Sequence, residues 1–268
     1  MWYNGVEAHM KNKNIGVCHI CGQTKELTEE HIPPRGAGNT KTVKFHTMDD
    51  FLHKDHLSGE KQITDFKYQL SQGGFHLPTI CKECNNNTGS YYAPAYSEFA
   101  RAITLSLAKN KTEEMLNHNL TFKCQIKPLN FYKQIIAMFC SILFPETVAI
   151  YKFGDYVLDK NSKTLNVKPF KLHMFLVPNE IFKMTPAYGI YHTNTGKCIM
   201  LSEFIAPPFG FVLNLSPDLV SLSLPDIAVF TDFAYDEIAL LGFEIPFLRP
   251  LYSFMMFENV PQDKIIMW

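Results

Sequence analysis

Four of the seven cysteines fall in two C-x-x-C pairs, Cys18/Cys21 and Cys81/Cys84, and three further features stand at fixed distances from them. Glu30 and His31 follow Cys21 inside TEEHIPPRGAGN. His76 follows Gly73-Gly74-Phe75, five residues before Cys81, and Asn85 comes directly after Cys84. Each pair sits in a turn-forming context, CHICG and CKECNNN, which lets two thiolates converge on one ion with backbone amides aimed at the sulfurs. Together they make a closed, tetrahedral four-thiolate site for structural Zn²⁺. A redox C-x-x-C would explain one pair and leave the other without a role. A secreted disulfide scaffold does not suit an odd cysteine count with Cys124, Cys140 and Cys198 as singletons.

A zinc ion that draws the two pairs together also draws Glu30, His31 and Asn85 together. Neighbouring side chains on an extended segment point to opposite sides, so Glu30 and His31 can take different jobs at one phosphate. The carboxylate holds a cation while the imidazole faces water, and Pro33-Pro34 fixes the chain just beyond. Asn85, anchored by Cys84 at the start of a helix, can offer its amide oxygen to the same cation. One carboxylate, one amide oxygen and waters suit Mg²⁺ or Mn²⁺ rather than zinc, so two different metals are expected. Glu29 competes with Glu30 for the cation, and Arg35 and Arg101 are expected phosphate contacts.

These residues resemble the HNH endonucleases, also called ββα-metal or His-Me finger nucleases, in the branch whose core is tied by two C-x-x-C knuckles. The resemblance covers about residues 15–105. In that family an acidic residue followed by His closes the first strand, an Asn-Leu pair stands five residues before the second C-x-x-C, and His or Asn follows the last Cys. The segment CNNNTGS is similar to the family's C-N-x-x-x-G helix start. The resemblance implies Glu30 as metal-binding acid, His31 as general base and Asn85 as second metal ligand. It places His76 where the family has an Asn that hydrogen-bonds the loop carrying the base. It also implies hydrolysis of DNA phosphodiester bonds, with RNA admitted by the same cation chemistry. Three departures stand out: Glu30 where Asp is usual, His76 for Asn, and about thirty extra residues between Pro34 and Gly73. A restriction or phage-defence setting follows only by analogy with where such modules occur. The alternative reading is a catalytically silent, zinc-stabilised module that binds nucleic acid or protein.

The elements that must position these residues belong to a chain of 268 residues, 46% hydrophobic and 19% charged, which can bury a real core. The expected class is α+β: a zinc-bound ββα-metal domain over residues 1–119, then a strand-rich α+β domain over 120–268. Net charge is −1, which excludes a bulk basic excess for nucleic acid, but its distribution is uneven: residues 121–200 carry +6 and 201–268 carry −7. Eight of the ten histidines lie in the first 120 residues, which places the chemistry there.

A helix is predicted from Pro94, with Tyr96, Phe99, Ala100, Ile103 and Leu107 on one face, then a linker over Lys109–Asn119 and a strand in TFKCQIK. Beyond it come a buried helix over Phe131–Phe144 stopped by Pro145, strands at Ala149–Leu158 and Phe170–Val177, and a hairpin around Thr193–Gly196. The second domain is expected to recognise substrate, sense a signal, or join another copy or a protein partner. Lysines and acids balance in the excursion between Pro34 and Gly73, and its H-x-x-H pair, His53 and His56, is too weak a pattern for a third metal. The longest apolar run, Ile135–Phe144, falls short of the ~20 residues of a bilayer span, and the N-terminus lacks a signal-peptide pattern. A soluble cytoplasmic protein without membrane contact is the expectation.

Overall fold

Fifteen consecutive residues, Pro128–Ile142, are all buried, and they form the helix around which the rest of the chain is packed. The computed structural model describes residues 14–45, 69–109, 115–165, 167–178, 182–192 and 196–248. His53 and His56, and with them most of the excursion after Pro34, lie outside the described residues.

The fold is mixed α+β. Strands β1 (Ile15–Val17), β2 (Thr24–His31) and β5 (His76–Cys81) make a three-stranded antiparallel sheet with β2 in the middle. Strands β3 (Val43–Phe45) and β4 (Gln69–Ser71) pair with each other, and a 3-10 turn, Arg35–Ala37, lies between β2 and β3. Helix α1 (Lys82–Leu107) leaves β5 directly. After it come β6 (His118–Ile126), the buried helix α2 (Pro128–Ile142), and two short helices, α3 (Pro145–Tyr151) and α4 (Phe153–Leu158). The remaining strands are β7 (Lys171–Leu176), β8 (Lys183–His192), β9 (Lys197–Ala206), β10 (Phe209–Asn214) and β11 (Ala239–Phe247). With β6 they build a six-stranded sheet in the order β6-β11-β7-β10-β9-β8.

Helix α1 begins twelve residues before Pro94. Its buried positions Cys84, Thr88, Tyr92, Ala95, Tyr96, Phe99 and Ile103 form one stripe at three- and four-residue spacing, so the face predicted to begin at Tyr96 already runs from the second knuckle. Pro94 cannot donate to the carbonyl of Ser90, but both residues are exposed, so water can take that carbonyl. The strand expected over Ala149–Leu158 is a correction of another kind: the segment forms α3 and α4. Its apolar side chains Val148, Tyr151, Phe153, Tyr156 and Val157 recur with helical spacing, and Lys152, at φ 53°, breaks the run into two pieces. The turn expected at Thr193–Gly196 falls on residues 193–195, which lie outside the described residues; the flanking strands β8 and β9 pair antiparallel out to His192 and Lys197. Strand β7 and helix α2 match the predicted elements, with α2 beginning slightly earlier at Pro128.

The boundary expected at residue 120 falls inside β6, and one hydrophobic core runs across it. Tyr96 of α1 stacks on Phe131 of α2 at 5.5 Å, and Phe99 lies 5.2 Å from Phe209 of β10. The first knuckle is docked on the same body: His19 Nδ1 is 3.0 Å from the Cys140 carbonyl, and Gly154 meets the Ile20 backbone so closely that no Cβ would fit. Tyr92 donates to the Val157 carbonyl at 2.7 Å, tying α1 to α4. No helix among the described residues is long and apolar enough to cross a membrane.

Candidate functional site

The four cysteine sulfurs of the two knuckles lie within 4.8 Å of one another. Cys18 sits in the turn after β1, and the Cys81 backbone N–H donates to its sulfur at 3.3 Å. Hydrogen bonding from the Cys84 thiol, with help from backbone amides, pulls the Cys18 thiol well below its ordinary range, which favours a thiolate ready for a metal. Four converging sulfurs, three of them buried, fit tetrahedral zinc, and no other group of three or more metal-ligating side chains is found among the described residues.

The knuckles fix where β2 and β5 meet, and that pairing builds the candidate site. His31 stands directly opposite His76, with ring centroids 5.4 Å apart. A register shift between Thr28 and Glu29 re-aims the end of β2. Glu29 is consequently exposed and lies 3.8 Å from His76 Nδ1, while Glu30 turns inward and keeps only 7% of its surface. The Glu30 carboxylate has no hydrogen-bond partner among the described residues, and burial pushes its pKa up to about 7.

Asn85 occupies the first turn of α1. Its amide nitrogen donates to Thr28 Oγ1 at 3.1 Å and to the Glu29 carbonyl at 3.2 Å, which anchors the side chain to β2 and leaves Oδ1 without a protein partner among the described residues. Glu30, His31, Arg35 and Asn85 line one cleft of about 190 Å³, floored by the small residues Gly89 and Ala93 of α1. A buried carboxylate and an amide oxygen, both unpartnered among the described residues and facing one cleft, suit a hard divalent cation. A larger cavity of about 340 Å³ beside β6 and β11 holds nothing comparable: its one ionisable side chain, Glu244, is bound by Asn119 at 3.0 Å.

One nitrogen of His31 is engaged: Arg35 Nε donates to His31 Nε2 at 2.9 Å. Burial, followed by the nearby Arg35 and His76, lowers the His31 pKa and keeps the ring neutral at neutral pH. Arg101 stands outside the cleft, further along α1, where Nε donates to the Ser97 carbonyl.

The hydrogen bonds that the resemblance gives to His76 are made by a different residue. Asn39 donates to the carbonyls of Pro33 at 2.7 Å and Phe75 at 2.8 Å, and its Oδ1 accepts from the Phe75 N–H at 2.7 Å. This ties the segment after His31 to the segment before His76. Gly74, at φ 106°, lies so close to the Asn39 backbone carbonyl that a Cβ there would collide with it. The one local signal for Asn39 is its place in a Gly-Asn-Thr turn; Pro33 is six residues away, but its other partner, Phe75, lies 36 residues away and has no local signature.

No protein-family model, curated protein or solved structure matches the chain.

Proposed function

We propose that this chain is a metal-dependent endonuclease of the HNH kind, hydrolysing DNA phosphodiester bonds at the cleft between β2, β5 and α1. The observation that carries the reading is the convergence of Glu30, His31 and Asn85 on one cleft, with the Glu30 carboxylate and the Asn85 amide oxygen both lacking a partner among the described residues. Glu30 and Asn85 would hold one Mg²⁺ or Mn²⁺. A divalent cation bound there supplies positive charge beside the phosphate as negative charge builds on its oxygens. Neutral His31 takes a proton from water through Nε2 as the water oxygen attacks phosphorus. The bond from phosphorus to the 3′ oxygen breaks on the far side. The zinc site holds β2, β5 and the start of α1 in register and takes no part in the chemistry. DNA as substrate rests on the resemblance, and RNA is the other arm of the test.

A second reading, a silent zinc-stabilised binding module, is favoured by one observation: the Nε2 of His31 is already occupied by Arg35. Supercoiled plasmid and single-stranded RNA, each incubated at pH 8 with Mg²⁺ or Mn²⁺, separate the two. The nuclease reading expects nicking or linearisation that EDTA stops and that a folded His31→Ala protein with full zinc content does not show. Absence of cleavage on every substrate tried favours the silent module.

A further inference from the structure

A general base must present a lone pair to water, and in this cleft the lone pair of His31 Nε2 is taken by Arg35. Arg35 sits on the 3-10 turn directly after Pro34, is exposed, and has no carboxylate partner among the described residues. Its guanidinium passes over Gly73, where a Cβ would lie 3.4 Å from Nη2. A guanidinium carries five N–H donors in a fixed fork and no acceptor, so the acceptor in this contact is the imidazole.

Resting on the assignment of His31 as base, we propose that Arg35 keeps His31 out of use until a phosphodiester enters the cleft and draws the guanidinium away. The exchange is favourable because a guanidinium binds a phosphate oxygen pair through charged, bidentate hydrogen bonds, whereas neutral imidazole offers a single uncharged acceptor. One side chain therefore does two things in turn. It captures the phosphate, and by leaving Nε2 it frees the base beside the phosphorus about to be attacked. Water in the empty cleft finds no base, and the lone pair becomes available only once substrate is in place. The exposed position of Arg35 leaves the side chain room to swing without disturbing the core.

The test compares zinc-loaded full-length wild type with Arg35→Met, which keeps the length of the side chain and removes its donors, and Arg35→Lys, which keeps the charge. Zinc content and melting temperature establish that each is folded. Diethyl pyrocarbonate is applied at pH 8 without divalent ion, and carbethoxylation of His31 is followed by peptide mass spectrometry with exposed His118 as internal reference. Arg35→Met should speed modification of His31 on the order of tenfold while His118 is unchanged, as expected for loss of a charged hydrogen bond. Modification of His31 at the wild-type rate overturns the proposal. Steady-state cleavage supplies the second readout: Arg35→Met should raise KM on the order of tenfold or more and leave kcat within about threefold. A fall in kcat with KM unchanged would mean that Arg35 only orients the ring, which also overturns it. If wild type itself cleaves nothing, the nuclease reading fails, and the modification rates still decide whether Arg35 covers His31.

Discussion

Glu30 is where burial and chemistry pull hardest against each other. A carboxylate with 7% exposure and no partner among the described residues has its pKa pushed by burial up to about 7 from the ordinary value of 4.5. The sign of the consequence follows from linkage. Below about 4.5 both the folded and the unfolded chain carry the proton, and Glu30 costs nothing. Between there and about 7 the unfolded chain loses its proton first, so stability falls as pH rises, and above about 7 a penalty on the order of 3 kcal/mol is fully in place. A cation in the cleft would cancel that penalty by pairing with the ionised form. Without divalent ion, the melting temperature of wild type relative to Glu30→Gln should therefore drop between pH 5 and pH 8, and Mn²⁺ at pH 8 should restore it in wild type alone. Thermal unfolding in both buffers checks this, and a wild-type protein indifferent to Mn²⁺ at pH 8 would speak against Glu30 as a ligand. The same residue shows what a sequence can convey at this level. Adjacent Glu30 and His31, and Asn85 after Cys84, were legible because strand alternation and knuckle spacing are local rules. That Glu30 rather than Glu29 turns inward was not, because it depends on a register shift that only the pairing with β5 creates.

Among the elements, the segment between β2 and β3 holds the site together, and Asn39 is its fastening. Three hydrogen bonds from one side chain join Pro33 and Phe75, and with them the chain after His31 and the chain before His76. Replacing Asn39 with Ala removes all three and lets His31 drift relative to the cleft. Small displacements of a catalytic group cost large factors in rate, so Asn39→Ala should lower kcat by about 10²-fold. KM and zinc content should stay near wild type, because neither the knuckles nor Arg35 is touched. Steady-state kinetics with metal analysis measures both, and unchanged kcat would show that Asn39 only shapes the surface. This fastening was hidden in the sequence for a physical reason: a side chain that bridges two loops far apart in the chain leaves no periodicity. The start of α1 was hidden because Pro94 usually opens a helix, and here the solvent-facing turn tolerates it. Helices α3 and α4 were misread as a strand because the left-handed residue Lys152 interrupts a helical pattern short enough to pass for alternation. The knuckles and α2, by contrast, were readable from spacing and from unbroken hydrophobicity.

For the molecule as a body, the six-stranded sheet and α2 do more than follow the part that carries the four-cysteine cluster; they supply the surface on which it is built. Tyr92, Tyr96 and Phe99 of α1 are buried against residues beyond position 120, and the first knuckle rests on α2 and α4. Each such aromatic contributes roughly 1.5–3 kcal/mol when covered, a large share of a small domain's stability. A fragment ending at residue 119 should therefore lack cooperative unfolding and hold zinc weakly, as circular dichroism and zinc retention would record. A fragment that melts cooperatively with zinc bound would show that the first part folds alone. The sheet order, with β11 between β6 and β7, could not be foreseen, since it joins segments more than a hundred residues apart that carry no mark of their pairing. The proposed function gives this body a single-cation hydrolytic site with His31 as its base. It is tested most directly by the single-turnover rate of cleaving linear duplex DNA with Mn²⁺, in wild type and in His31→Ala of equal zinc content. Wild type should cut only when Mn²⁺ is added, and His31→Ala should be slower by about 10²–10⁴-fold. Equal rates in the two proteins, or cleavage that does not depend on the added ion, would contradict it.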